Sequence, residues 1–163
     1  MKKAAFLDRD GTIIHDVGYL SKLADCRFIP GVIELLQRLQ KAGYLLVVVT
    51  NQSGIARGYF DESFVAATHD FLATQLLQHG VTIAAFYFCP HHPEKSVRAD
   101  LLQRCDCRKP LAGMLIQAAQ DLAIDLTASL MIGDSARDLE AGRAAGCRSY
   151  LIDEVLAGWI SDL

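Results

Sequence analysis

Five apolar runs of strand length alternate with amphipathic runs of helix length, and this alternation restricts the fold more than any other feature of the chain. The strand-like runs are residues 4–7, 44–49, 83–88, 129–132 and 148–152. Val32, Leu35, Leu36 and Leu39 are spaced for one face of a first helix that stops near Gly43. Phe64, Val65, Thr68, Leu72 and Leu76 give a second helix, with Asp61 as N-cap and Gly80 past its end. A third spans about 112–122, and a fourth about 136–145, stopped by Gly146. Strand and helix taken in turn predict an α/β fold, a doubly wound parallel sheet with helices on both faces. At 163 residues with no interdomain linker, one domain over 1–163 is expected.

In such a sheet the strands all end on one edge, where ligands bind. Asp8-Arg9-Asp10-Gly11-Thr12 follows the first run, and Thr50-Asn51-Gln52-Ser53-Gly54 the second. A cysteine and histidine loop ending in Arg108-Lys109-Pro110 follows the third, and Gly133-Asp134-Ser135-Ala136-Arg137-Asp138 the fourth. Any one of these could be a solvated turn. Four on one edge, supplying acids, a hydroxyl and a lysine, point to catalysis.

Carboxylates at Asp8, Asp10 and Asp134 would repel one another unless a cation lay between them, and hard oxygen ligands suit Mg²⁺. Asp8 can attack phosphorus to form an aspartyl-phosphate, and Asp10 can serve as acid and then base. The Thr50 hydroxyl and the Lys109 ammonium can hold phosphoryl oxygens. Asp138 could orient Lys109 or a metal-bound water, or simply favour the helix N-terminus.

The net charge of −3 and the absence of a basic run argue against nucleic acid as a partner. Hydrophobic residues make up 52% of the chain and charged residues 21%, a globular balance, yet no apolar run reaches membrane-spanning length. Without a signal-peptide-like start, a cytoplasmic monomer is expected, and its five cysteines should be thiols or metal ligands rather than disulfides. Cys89, His91, Cys105 and Cys107 make a closed Cys₃His set that prefers Zn²⁺, a structural staple on the loop delivering Arg108 and Lys109. His92 rivals His91, because spacing alone does not separate them. Cys26, Cys147, His15, His69 and His79 have no partner visible in the sequence.

The four strand-end motifs, in this order, resemble those of the haloacid dehalogenase-like phosphohydrolases over nearly the whole chain. That resemblance implies a Rossmann-like core, Asp8 as nucleophile and Asp10 as acid/base. It also implies Mg²⁺ on Asp8, Asp134 and the backbone carbonyl of Asp10. Residues 12–29 are too few for the large cap many members carry, so a capless enzyme with an open site is implied. The loop from Cys89-Pro90-His91-His92 to Cys105-Asp106-Cys107-Arg108-Lys109-Pro110 is similar to that of two zinc-loop branches. One acts on a heptose bisphosphate in lipopolysaccharide synthesis and the other on histidinol phosphate. The long stretch 93–104, the run Thr50 to Gly58 and the segment Asp16-Val17-Gly18-Tyr19 favour the first, hence a small phosphorylated sugar as substrate. By the same resemblance Asp16, Val17, Gly18, Tyr19, Asn51, Gln52, Ser53 and Arg108 would contact it. Ser135 occupies a substrate-facing place where heptose enzymes carry lysine. Histidinol phosphate is the rival substrate, and a catalytically idle zinc-stapled binding module the rival class.

Overall fold

Ala4, Ala5, Phe6 and Leu7 are all fully buried, Ala4 and Phe6 in one core cluster and Ala5 and Leu7 in another. A strand buried on both faces belongs at the centre of a sheet covered on both sides. The computed structural model, which describes residues 1–158, has that sheet. Strands β1 (Lys3–Leu7), β2 (Tyr44–Asn51), β3 (Ile83–Cys89), β4 (Leu130–Gly133) and β5 (Arg148–Leu151) are parallel, in the order β3-β2-β1-β4-β5. The chain winds outward from β1 to β2 and β3, then returns to the other side of β1. The winding therefore reverses between β1 and β4, where open α/β sheets leave a crevice for ligand.

Helices α1 (Val32–Lys41), α2 (Glu62–Leu77) and the short α5 (Ile152–Leu156) cover one face through Val32, Leu36, Leu72, Leu76 and Val155. Helices α3 (Gly113–Leu122) and α4 (Ala136–Ala145) cover the other through Met114, Leu115, Ala118 and Ala141. Asp61 caps α2 as expected, its carboxylate accepting from the Phe64 N–H at 2.9 Å. No helix of the described residues is long and apolar enough to cross a membrane.

The sequence reading needs correction at the strand ends: β3 takes in Cys89 and β4 takes in Gly133, both read as loop. Thr50 and Asn51 are strand rather than loop, because β3 also runs on to Cys89 and pairs with them there. Ile152 opens α5 instead of ending β5, since it and Val155 are buried in the α1 face of the core. Helix α3 also ends without a glycine: Ala123 takes a left-handed φ of 55°. A Cβ in that region is strained by about 1–2 kcal/mol, partly offset by glycine's looser unfolded chain. Ala123→Gly should therefore stabilise the fold by about 0.5 kcal/mol. Chemical denaturation would measure it, and a lowered midpoint would show that no strain is stored there.

The insert between β3 and α3 packs on the segment following β2. Leu101 is buried with Ile55, Ala56 and Val65, and the Ala56 carbonyl accepts from the Val97 N–H at 2.7 Å and the Ser96 hydroxyl at 3.0 Å.

Candidate active site

The β1–β4 crevice opens into a cleft of about 370 Å³ lined by Asp8, Asp10, Asp16, Gly18, Tyr19, Thr50, Asn51, Gln52, Ser53, Arg108, Lys109 and Asp134. Leu7 pairs with both Val48 and Ile132, so the residues after these strands project together. Lys109 lies beneath them and is only 2% exposed. Its ammonium donates to an Asp8 oxygen and to the Val49 carbonyl, each at 2.8 Å, and lies 2.7 Å from Asp138 Oδ1. Such a buried cation must be paired, and two carboxylates and a carbonyl pair it.

Asp138 does both things its sequence position allowed. One oxygen faces Lys109, and the other accepts from the Asp134 N–H, the Ser135 N–H and the Ser135 hydroxyl at 3.2, 3.1 and 2.8 Å. Burial opposes its charge, yet Lys109 and these donors hold its carboxyl below the usual range. Gly133 makes room for it, because a Cβ there would overlap the Asp138 side chain.

Asp8, Asp134 and Asp138 bring carboxylate oxygens within 4.8 Å of one another. Burial pushes the Asp8 carboxyl up against the pull of Lys109. Asp134 is pushed up to about 6, first by desolvation in the cleft and then by the charges of Asp8 and Asp138. A divalent cation would relieve this crowding, and the hard oxygens suit Mg²⁺. Both Asp138 oxygens are engaged, so Asp8 and Asp134 are the side chains left to ligate. Gly11 permits their approach: its φ is +83°, and a Cβ would overlap the Asp134 carboxylate.

The Asp10 carboxylate is held apart from that group. Arg9 donates to it through Nε and Nη2 at 3.1 and 3.2 Å, and Gln52 Nε2 donates at 2.9 Å. Arg9 is 2% exposed, and its Nη1 lies 3.4 Å from Nε2 of His69. Burial, reinforced by Arg9, pushes His69 down to about 3, so it is neutral and able to accept. Arg9 was not singled out in the sequence, where a basic residue between two strand-end acids was the one available signal, and His69, which showed no partner there, has one in Arg9.

Other expected contacts divide. Asp16 accepts from the Gly18 N–H at 2.8 Å, a turn that shapes the cleft wall, while Val17 is 50% exposed and outside the lining. The Asn51 amide pairs both ways with the Lys109 backbone at 3.0 Å, positioning the lysine. The Ser135 hydroxyl is engaged by Asp138 and likewise lies outside the lining. Arg57 and Arg137 line the cleft although neither was an expected contact.

Beside the cleft, Cys107 Sγ lies 3.1 Å from Cys89 Sγ, 3.2 Å from Cys105 Sγ and 3.4 Å from His91 Nδ1. Cys89 Sγ is 3.5 Å from Cys105 Sγ and 3.6 Å from His91 Nδ1. Sulfurs about 2.3 Å from a tetrahedral zinc stand roughly 3.7 Å apart, just outside these separations, so the set fits Zn²⁺. His92 is turned elsewhere: its Nδ1 accepts from the N–H groups of Glu94 and Lys95 at 3.1 and 2.9 Å. The geometry thus gathers His91, and not its rival, with the three sulfurs.

A family model described as haloacid dehalogenase-like hydrolase matches residues 5–104, and a second, HAD-hydrolase-like, matches residues 106–154. The chain belongs to the haloacid dehalogenase-like hydrolases. It is 48% identical over 145 residues to D-glycero-beta-D-manno-heptose-1,7-bisphosphate 7-phosphatase of Haemophilus influenzae, covering 89% of this chain and 78% of that one. The enzyme of the same name from Escherichia coli K12 is 48% identical over 142 residues, covering 87% and 74%. Among solved structures, the D,D-heptose 1,7-bisphosphate phosphatase of B. bronchiseptica, complexed with magnesium and phosphate, superposes with a TM-score of 0.81. It is 36% identical, over 95% of this chain and 86% of that one.

Proposed function

We propose that this member of the haloacid dehalogenase-like hydrolases is a phosphomonoesterase that removes the 7-phosphate of a D-glycero-D-manno-heptose 1,7-bisphosphate. One observation carries the chemistry: Lys109 holds Asp8 at 2.8 Å at the floor of a cleft that also presents Asp10, Thr50 and Asp134. The substrate follows from the relatives, which bear that name at 48% identity over most of the chain.

The Asp8 carboxylate attacks phosphorus, giving an aspartyl-phosphate and freeing the sugar oxygen, which takes a proton from Asp10. Asp10 then takes a proton from the water that attacks the aspartyl-phosphate, and inorganic phosphate leaves. Arg9 and Gln52 fix the direction of the Asp10 carboxyl. Gln52 Nε2 also donates to the Thr50 oxygen at 2.9 Å, so the Thr50 proton is free for a phosphoryl oxygen. Lys109, tied to Asp8, stabilises the charge that develops on the transferring group. Asp8, Asp134 and the Asp10 carbonyl would hold Mg²⁺, which would supply charge neutralisation and help to orient the phosphoryl group. Cys89, His91, Cys105 and Cys107 would hold Zn²⁺, which would fix the loop that presents Arg108, whose fork of donors suits the second phosphate.

The enzyme should prefer heptose 1,7-bisphosphate to histidinol phosphate and leave the phosphate at C1. A charge-assisted contact to a second anion contributes about 1.5–3 kcal/mol, or roughly ten- to a hundredfold in kcat/KM. Histidinol phosphate brings a cationic amine instead. Kinetics on both substrates at equal Mg²⁺, with ³¹P spectra of the product, would check this. Equal values, or a higher value for histidinol phosphate, would overturn the assignment.

A further inference from the structure

Five cationic side chains line the cleft: Arg9, Arg57, Arg108, Lys109 and Arg137. Two are neutralised within the protein, Arg9 by Asp10 and Lys109 by Asp8 and Asp138. Among the described residues, no carboxylate lies within ion-pair distance of Arg57, Arg108 or Arg137. Arg137 is exposed and water can serve it, but Arg57 and Arg108 are half-buried.

Arg57 is the less satisfied of that pair. Arg108 Nη1 donates to the His91 carbonyl at 3.4 Å, whereas Arg57 Nε is buried and has no hydrogen-bond partner. The Arg57 guanidinium carbon stands 5.5 Å from the centre of the Tyr19 ring, a contact that orients the plane without satisfying an N–H. Arg57 Nη2 lies 3.3 Å from His92 Nε2. His92 Nδ1 already accepts from the Glu94 and Lys95 backbone, so in the neutral ring the proton sits on Nε2. Arginine has no acceptor. The 3.3 Å approach therefore sets two donors side by side, and neither satisfies the other. Half-buried donors left in this state call for an acceptor-rich, anionic group.

The reacting phosphate does not fill that need, since Lys109, Thr50 and the acidic end of the site attend to it. We propose that Arg57 is a specificity-determining residue which, beside Arg108, grips the second, non-reacting phosphate of the substrate. This rests on the bisphosphate reading above. Arg57 comes from the segment after β2, and Arg108 and His92 from the zinc loop, so the two segments meet on one anion. A planar fork held against Tyr19 gives up little freedom on binding, an advantage lysine would not share.

The test compares heptose 1,7-bisphosphate with heptose 7-phosphate, which keeps the reacting group and lacks the second phosphate. Arg57→Ala should lower kcat/KM for the bisphosphate by roughly ten- to a hundredfold, mainly through KM, and leave heptose 7-phosphate unchanged. Arg57→Lys should recover part of the loss. Zinc content and melting midpoint should match the parent protein. Full preference for the bisphosphate in Arg57→Ala would overturn the assignment. So would an equal fall on both substrates together with lost zinc, which would make Arg57 a structural strut. If the parent protein itself shows no preference for the bisphosphate, the substrate reading fails first, and this inference with it.

Discussion

Asp8→Asn should lower turnover by at least about 10³-fold and leave the protein folded. An amide has the carboxylate's shape but is a poor nucleophile toward phosphorus. Lys109 would lose one counter-charge at 2.8 Å, but Asp138 at 2.7 Å and the Val49 carbonyl at 2.8 Å remain, so its charge is not stranded. Burial already works against the Asp8 charge, which further limits the cost of removing it. The loss should therefore appear in kcat with the circular dichroism spectrum unchanged, and phosphate should still bind. Turnover close to that of the parent protein would sink the covalent mechanism, whatever the substrate. Asp10→Asn separates the two roles: its nucleophile stays in place, so both half-reactions should slow rather than vanish.

Cys105→Ser should remove zinc, stability and activity together. Three sulfurs and an imidazole, all within 4.8 Å of one another, would form a ligand shell, and a shell missing one member binds far more weakly. Metal affinity in such a site is folding free energy. Its loss should loosen residues 90–107, which rest on Ile55, Ala56 and Val65 through one buried residue, Leu101. Lys109 and Arg108 follow directly on that loop. The parent protein should carry about one zinc per chain, as a single closed set implies. Elemental analysis decides this: native protein with no zinc would refute the site. A Cys105→Ser variant that loses zinc yet keeps its midpoint and rate would refute the coupling of loop to catalysis.

The sheet, its parallel sense and four of the helices were legible because each rests on a local pattern. Apolar runs of four to eight residues, a period near 3.6 and stops such as Gly43 and Gly146 act within a few residues along the chain. No glycine announces the end of α3, yet the reading of about 112–122 matches Gly113–Leu122. Nothing in the spacing shows that Ile152 turns into α5, and there the reading failed. The strand-end motifs were legible for a related reason: a parallel sheet puts all of them on one edge, so their order along the chain is enough to gather them.

Which of those residues touch was not legible, because it depends on how the loops travel. Asp8 and Lys109 are 101 positions apart, and Asn51, clasping the Lys109 backbone from the end of β2, helps to bring them together. The open choice at Asp138 needed the distance to that same lysine. His91 and His92 are chemically identical, and only the path of residues 92–95 turns one ring toward the sulfurs and the other toward Arg57. The sequence by itself determined the sheet, the edge that carries the candidate site and the residue types brought there, since these follow from periodicity and residue chemistry. The tertiary structure alone decided the pairing of Lys109, the holding of Asp10 by Arg9 and the unpaired donors of Arg57, since these follow from distances between segments remote in the chain.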